Sequence, residues 1–139
     1  MINAIRSLNP LAVIVISIVT FLVGGLWYSP LLFIKAWFKE MKITPEQAKA
    51  AGGGVWRMAT ALALTFVSTF ALAVLVAANH TTAAVKGAEL GLFVGVGLVA
   101  SREGVNGVFE MRSLRHYLIV AGHDVVQFAV AGALLALWH

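Results

Sequence analysis

Hydrophobic runs of membrane-crossing length recur along almost the whole chain, and they constrain its fold more than any motif does. The cleanest is Pro10–Tyr28, where LAVIVISIVTFLVGGLWY carries no charge and Trp27-Tyr28 stand where the chain should leave hydrocarbon. A helix rises ~1.5 Å per residue, so about 20 apolar residues cross a ~30 Å hydrocarbon layer. Further runs occupy Val55–Ala78, Ala83–Ala100 and Tyr117–Trp138. They predict an all-α fold, a four-helix transmembrane bundle with spans at about 10–29, 55–78, 83–101 and 117–138 of one integral membrane domain, residues 1–139.

Composition closes off the alternatives. With 60% hydrophobic and 12% charged residues, the chain has too little polar surface to coat a soluble globule of 139 residues. The runs are continuously apolar, whereas the strands of a membrane barrel alternate in segments of about ten residues. The sequence pI of 9.9 does not point to nucleic acid, because most Lys and Arg flank the apolar runs as topology requires. No cysteine is present, which excludes disulfides, thiolate ligands and thiol catalysis. Arg6 precedes the first run, but that run ends in Gly-Gly-Leu-Trp-Tyr-Ser-Pro without a small-residue cleavage site, so it reads as a retained span.

The connectors carry the punctuation. Asn9-Pro10 opens the first span and Ser29-Pro30 closes it. Within the loop 31–54, LLFIKAWFKEM sets Leu32, Phe33, Ala36, Trp37 and Phe38 against Lys35, Lys39 and Lys42, a short amphipathic interfacial helix with a basic side toward headgroups. Thr44-Pro45-Glu46-Gln47 is a capping box, and the helix it starts should end at Gly52-Gly53-Gly54. The first loop holds four lysines with Arg57 just beyond, and the third connector holds Arg102, Arg112 and Arg115. The positive-inside rule makes that side cytoplasmic and both termini external. Trp27, Tyr28, Trp56 and Tyr117 then form an inner aromatic belt and Trp138 an outer one.

Gly87, Gly91 and Gly95 recur at four-residue spacing on one face of the third span, and the fourth adds Ala129, Gly132, Ala133 and Ala136. Small residues let helices approach closely in lipid, but the pattern leaves open whether the partner is another span or a second protomer.

Charged groups at depth cost about 2.5–3.5 kcal/mol on insertion scales, so each marks a candidate site. Asp124 lies inside the fourth span beside His123, with Gln127 three residues on and His116 seven before His123. Arg102, Glu103 and Asn106 fall near the cytoplasmic end of the third span. Arg102 is placed to pair with Asp124, and Glu103 with His116 or His123. Such a cluster fits an ion pair that fixes helix register, a cation or proton relay, or a metal held by His and carboxylate. Glu89 and Lys86 have the spacing of an i,i+3 pair at the outer interface, or of a substrate contact. His80 and His139 at outer helix ends raise a bis-imidazole haem as a formal possibility, and Asn79-His80-Thr81 matches a glycosylation sequon. No zinc-protease, Walker, nucleophile-elbow or dinucleotide motif occurs, and Ser68 and Ser101 have no evident base. Nothing names a reaction, and no cofactor is called for.

The stretch Gly25-Leu26-Trp27-Tyr28-Ser29-Pro30-Leu31-Leu32-Phe33-Ile34-Lys35-Ala36-Trp37 resembles the G-x-L-W-Y-S-P-L-x-F-x-K-x-W signature of the family catalogued as domain of unknown function 1761. Ile34 stands where glycine is usual. Phe109-Glu110-x-Arg112, Tyr117-Leu118-Ile119, Ala121-Gly122, Gly132-Ala133 and Trp138 resemble its C-terminal part, with Val120 at a site often polar in relatives and His123 at one often aromatic. The resemblance implies a small, mostly bacterial, integral membrane protein of the plasma membrane, and no activity, because the family's function is not established.

The expected function is that of a structural or interaction protein in the lipid bilayer, as a homo-oligomer or as an accessory subunit of a larger membrane complex. One alternative is an oligomeric transporter or channel moving protons, cations or a small solute past Glu89, His123 and Asp124. A second is a membrane redox or metal protein using His116 and His123.

Overall fold

The structure, a computed structural model, describes residues 2–138. A short helix α1 (Ile2–Ser7) leads into α2 (Pro10–Trp27), the first span. Asn9 caps α2 by accepting from the Leu11 and Ala12 amides at 3.1 and 3.3 Å, and Pro10 in the first turn has no amide to lose. Helix α3 (Ile34–Met41) keeps Lys35 and Lys39 exposed and ends at Lys42 in a left-handed conformation, φ 53°. Thr44 and Gln47 form the expected reciprocal capping box at the start of α4 (Pro45–Ala50), with bonds of 2.8 and 3.1 Å. Gly52 and Gly53 take φ of 66° and 73°, which a side chain rarely tolerates, and turn the chain into α5 (Gly54–Ala78), the second span.

The third span is one continuous rod, Ala84–Phe109, built as α6 (Ala84–Val94), a π-helical segment (Gly95–Ala100) and α7 (Ser101–Phe109). It was expected to end near Ser101 and runs two turns further. Ser113 then caps α8 (Leu114–Leu137), the fourth span, by accepting from the His116 amide at 3.0 Å. All four spans are long and apolar enough to cross a bilayer, so this is a membrane protein.

In lipid, helices gain little from hiding apolar surface and associate through close packing and hydrogen bonds. The interior reflects this. Ala12, Val13, Ile16, Ala73, Val76, Ala131, Leu135 and Ala136 make the dry core, with Ser17 and Thr20 buried among them. Those two hydroxyls donate to the Val13 and Ile16 carbonyls one turn back, at 2.7 and 2.9 Å.

The tightest contact is between α6 and α8. A Cβ added to Gly87 would lie 2.1 Å from the Gly132 carbonyl oxygen and 2.6 Å from Ala136 Cβ. One added to Gly91 would lie 2.1 Å from the Phe128 carbonyl oxygen, and one on Gly95 3.2 Å from Phe128 Cβ and Val125 Cα. The glycine face therefore serves a neighbouring span of the same chain.

Helix α5 is packed differently from the other spans. Its buried residues, Thr69, Leu72, Ala73, Val74 and Val76, all fall in its C-terminal half. From Gly54 to Ser68 no residue is buried, and Val55 and Trp56 are 86% and 80% exposed. Thr69, Leu72, Ala73 and Val76 share one face at helical spacing, and Val55, Met58, Ala59 and Leu62 continue it, with Leu62 half-buried and the other three exposed. The N-terminal half of α5 is packed only loosely against the bundle.

Candidate functional site

Two polar layers lie on the loop side of the bundle. The outer layer of the two is the rim where α3 meets the start of α8. Glu40 of α3 accepts a hydrogen bond from the Ser113 hydroxyl and faces Arg115 at 3.9 Å. Arg112 pairs with Glu110, contacts Met41 sulfur at 3.8 Å and donates to His116 Nε2 at 2.6 Å. A guanidinium only donates, so Nε2 of His116 is the acceptor. Only 3% exposed, His116 is a buried strut under the α7–α8 turn. The i,i+4 spacing of Arg112 and His116 was legible in the sequence, whereas the roles of Glu40 and Ser113 required knowing that α3 folds back onto α8.

The second layer is centred on His123 and Asp124. Helix α8 begins at Leu114, so Asp124 lies ten residues in, ~15 Å along the axis, which is deeper than expected. His123 Nδ1 and Asp124 Oδ1 are 2.9 Å apart, with the carboxylate accepting from the ring. His123 Nε2 is buried and has no hydrogen-bond partner among the described residues. It faces the Gly24 backbone so closely that a Cβ there would come within 2.9 Å.

Around this imidazole the first span and its knee wrap an aromatic shell. Tyr28 and Trp27 ring centroids lie 5.3 and 6.2 Å from that of His123. Trp27 also stacks on Phe33 at 4.6 Å, packs near Gly122 and donates its indole N–H to the Ile119 carbonyl at 3.0 Å. Trp37 closes on Tyr28 edge to face at 6.2 Å. The Tyr28 phenol lies in the field of both the Asp124 and the Glu103 carboxylates.

The pairings expected for Arg102 and Glu103 do not form. Gly95 meets α8 at Val125, so Arg102, seven residues on, lies closer to the loop than Asp124. Arg102 is exposed, and Glu103 and Asn106 are half-buried; none of the three has a side-chain partner among the described residues. Asp124 takes His123 instead of Arg102, and Glu103 reaches neither His116 nor His123. Gln127 lies at the α5 contact with Ser68 and Thr69. Glu89 pairs with Lys86 at 2.8 Å, both exposed near the start of α6, more than a turn away from Asp124 along the helix pair. Among the described residues no three His, Cys, Asp or Glu side chains converge to hold a metal ion. His139 lies outside the described residues. Of the remaining signature positions, Gly25 faces open space, Pro30 and Lys35 are exposed, and Ser29 accepts from the Leu31 amide at 3.3 Å.

The shell between α2 and α8 is thus built from Trp27, Tyr28, Phe33 and Trp37. Residues 11–136 match the model of a family described as Protein of unknown function (DUF1761). The chain belongs to that family. No curated protein matches it, and no solved structure does. In this DUF1761 protein Trp27, Tyr28 and Trp37 pack together at the α2–α3 knee, where Trp27 bonds to α8 and Tyr28 lies against His123.

Proposed function

We propose that this DUF1761 protein works without catalysis, as a membrane component that self-associates through the N-terminal half of α5. The observation that carries this reading is the stretch Gly54–Leu64, an apolar half-span in which every residue but the half-buried Leu62 is exposed. Its outward face repeats Trp56, Thr60, Ala63 and Val67 at helical spacing, all exposed. The Thr60 and Thr65 hydroxyls have no hydrogen-bond partner among the described residues, unlike those of Ser17, Thr20, Ser68 and Ser101. In hydrocarbon an unpaired hydroxyl favours a neighbouring helix that can take it, and interhelical bonds of this kind contribute about 0.6 kcal/mol each. The glycine face, an obvious oligomer surface from sequence, is occupied by α8 and lends this reading no support.

The test is native mass in mild detergent. A multiple of the 14.8 kDa chain is expected for the wild type. Thr60→Leu with Ala63→Leu should shift the population to single chains without changing the melting temperature. A wild type that is monomeric in both detergent and bilayer nanodiscs would overturn the reading.

A further inference from the structure

Asp124 sits in the fourth span without a cation. Its side-chain partner is the His123 ring at 2.9 Å, and among the described residues no lysine or arginine pairs with it. Arg102 is exposed nearer the loop, Arg112 is held by Glu110 and His116, and Arg115 faces Glu40. Both members of the pair are largely shielded, with side chains 14% and 24% exposed. With a neutral imidazole, the pair leaves one net negative charge inside a span, a state that hydrocarbon penalises. A single proton on the pair supplies the missing counter-charge.

The ring has one place for that proton. Nδ1 is committed to Asp124, and Nε2 is buried without a hydrogen-bond partner among the described residues. A Cβ on Gly24 would come within 2.9 Å of Nε2, so that side is closed to a solute, whereas a proton needs no room. The Tyr28 ring centroid lies 5.3 Å from that of the imidazole, within the ~6 Å over which an aromatic ring attracts a cation. The other groups around the pair bring no positive charge. The end of α2 brings the Tyr28 phenol, which lies in the field of Asp124 and of Glu103 on α7. Helix α5 brings the uncharged Ser68 and Thr69, beside Gln127 one turn along α8.

We infer that the His123–Asp124 pair is a proton-binding site, with the proton held at Nε2 of His123 and Asp124 as its counter-charge. Imidazole is the side chain that ordinarily exchanges a proton between about pH 5 and pH 8. Charge therefore comes and goes within the α2–α8 contact, beside Trp27 and Tyr28. This goes beyond self-association and concerns α2 and α8 rather than the N-terminal half of α5, so either can fail without the other.

The experiment is nitrogen-15 NMR of the purified chain, labelled in its histidine rings, from about pH 5 to pH 8 in one detergent. His123 is assigned by its loss in His123→Gln or, if that variant does not fold, in His123→Phe. At the acid end both ring nitrogens of His123 should carry protons, and at the alkaline end Nδ1 alone. Asp124→Asn keeps the shape and an acceptor oxygen but removes the charge, and it should abolish the doubly protonated ring over the same range. If Asp124→Asn does not fold, difference infrared spectra of the wild type decide in its place, and Asp124 should stay a carboxylate throughout. A single protonation state of His123 across the range overturns the inference. So does an unaltered titration in folded Asp124→Asn, or a carboxylic-acid band that rises in step with the His123 change.

Discussion

Gly91→Ala should lower the melting temperature of the purified protein sharply, by one methyl group. The added Cβ would lie 2.1 Å from the Phe128 carbonyl oxygen and 3.1 Å from Ala129 Cα, and both neighbours are backbone of α8. No rotamer change relieves that contact. The two helices must separate along the whole face from Gly87 to Gly95, losing dispersion contacts that in lipid are the main source of association. Overpacking of this kind costs about 1–3 kcal/mol, and a clash against rigid backbone belongs at the upper end or beyond. Gly97→Ala supplies the control, since a Cβ there meets nothing within 4 Å. Its effect should stay within about 0.5 kcal/mol. Thermal unfolding in one detergent, read by circular dichroism, compares the two, and equal melting temperatures would show that the α6–α8 contact is misplaced.

Trp27→Ala should be the second large loss. The indole stacks on Phe33, borders Gly122 and His123, and donates to the Ile119 carbonyl, so its removal unpins the end of α2 and the α2–α3 knee together. Truncating a packed aromatic costs roughly 3 kcal/mol, part of it from the cavity left behind. Trp27→Phe keeps most of the ring and loses the indole N–H, so it should cost about 1 kcal/mol. A protease cutting in the 42–54 connector should nick the alanine variant faster than the wild type, because α3 is tied to α8 partly through this knee. Similar melting temperatures for Trp27→Ala and wild type would mean that the signature residues do not hold the bundle.

How much of this was legible in the sequence follows from the physics at each place. Hydrocarbon demands long apolar helices, so all four spans could be read from composition alone. Asn9-Pro10, the Thr44–Gln47 capping box and the Lys86–Glu89 pair were also legible, because each is set by residues within one helical turn. The partner of the glycine face was not, since close approach is available to any helix with small residues. The polar pairings failed for a different reason. They depend on axial register between α6–α7 and α8, and two features shifted it: α8 starts at Leu114, and the third span continues through the π segment Gly95–Ala100 to Phe109. A π turn holds more residues than an α turn, so counting at 3.6 per turn misplaces everything beyond it, Arg102 and Glu103 included. The docking of Glu40 on Ser113 and the exposed N-terminal half of α5 depend on where the chain turns in space, which no local spacing encodes.

The central claim is that the small-residue face of the third span is spent inside each chain on α8. The chain has no cysteine, so a single introduced pair reports cleanly. Gly95→Cys with Phe128→Cys places two Cβ atoms about 3.2 Å apart, near the range a disulfide spans. Oxidation in native membranes should convert the protein to an internally bridged monomer of faster mobility on non-reducing gels. Covalent dimers in place of that monomer would mean that the face joins two molecules, and the bundle would not be the one formed within a single chain.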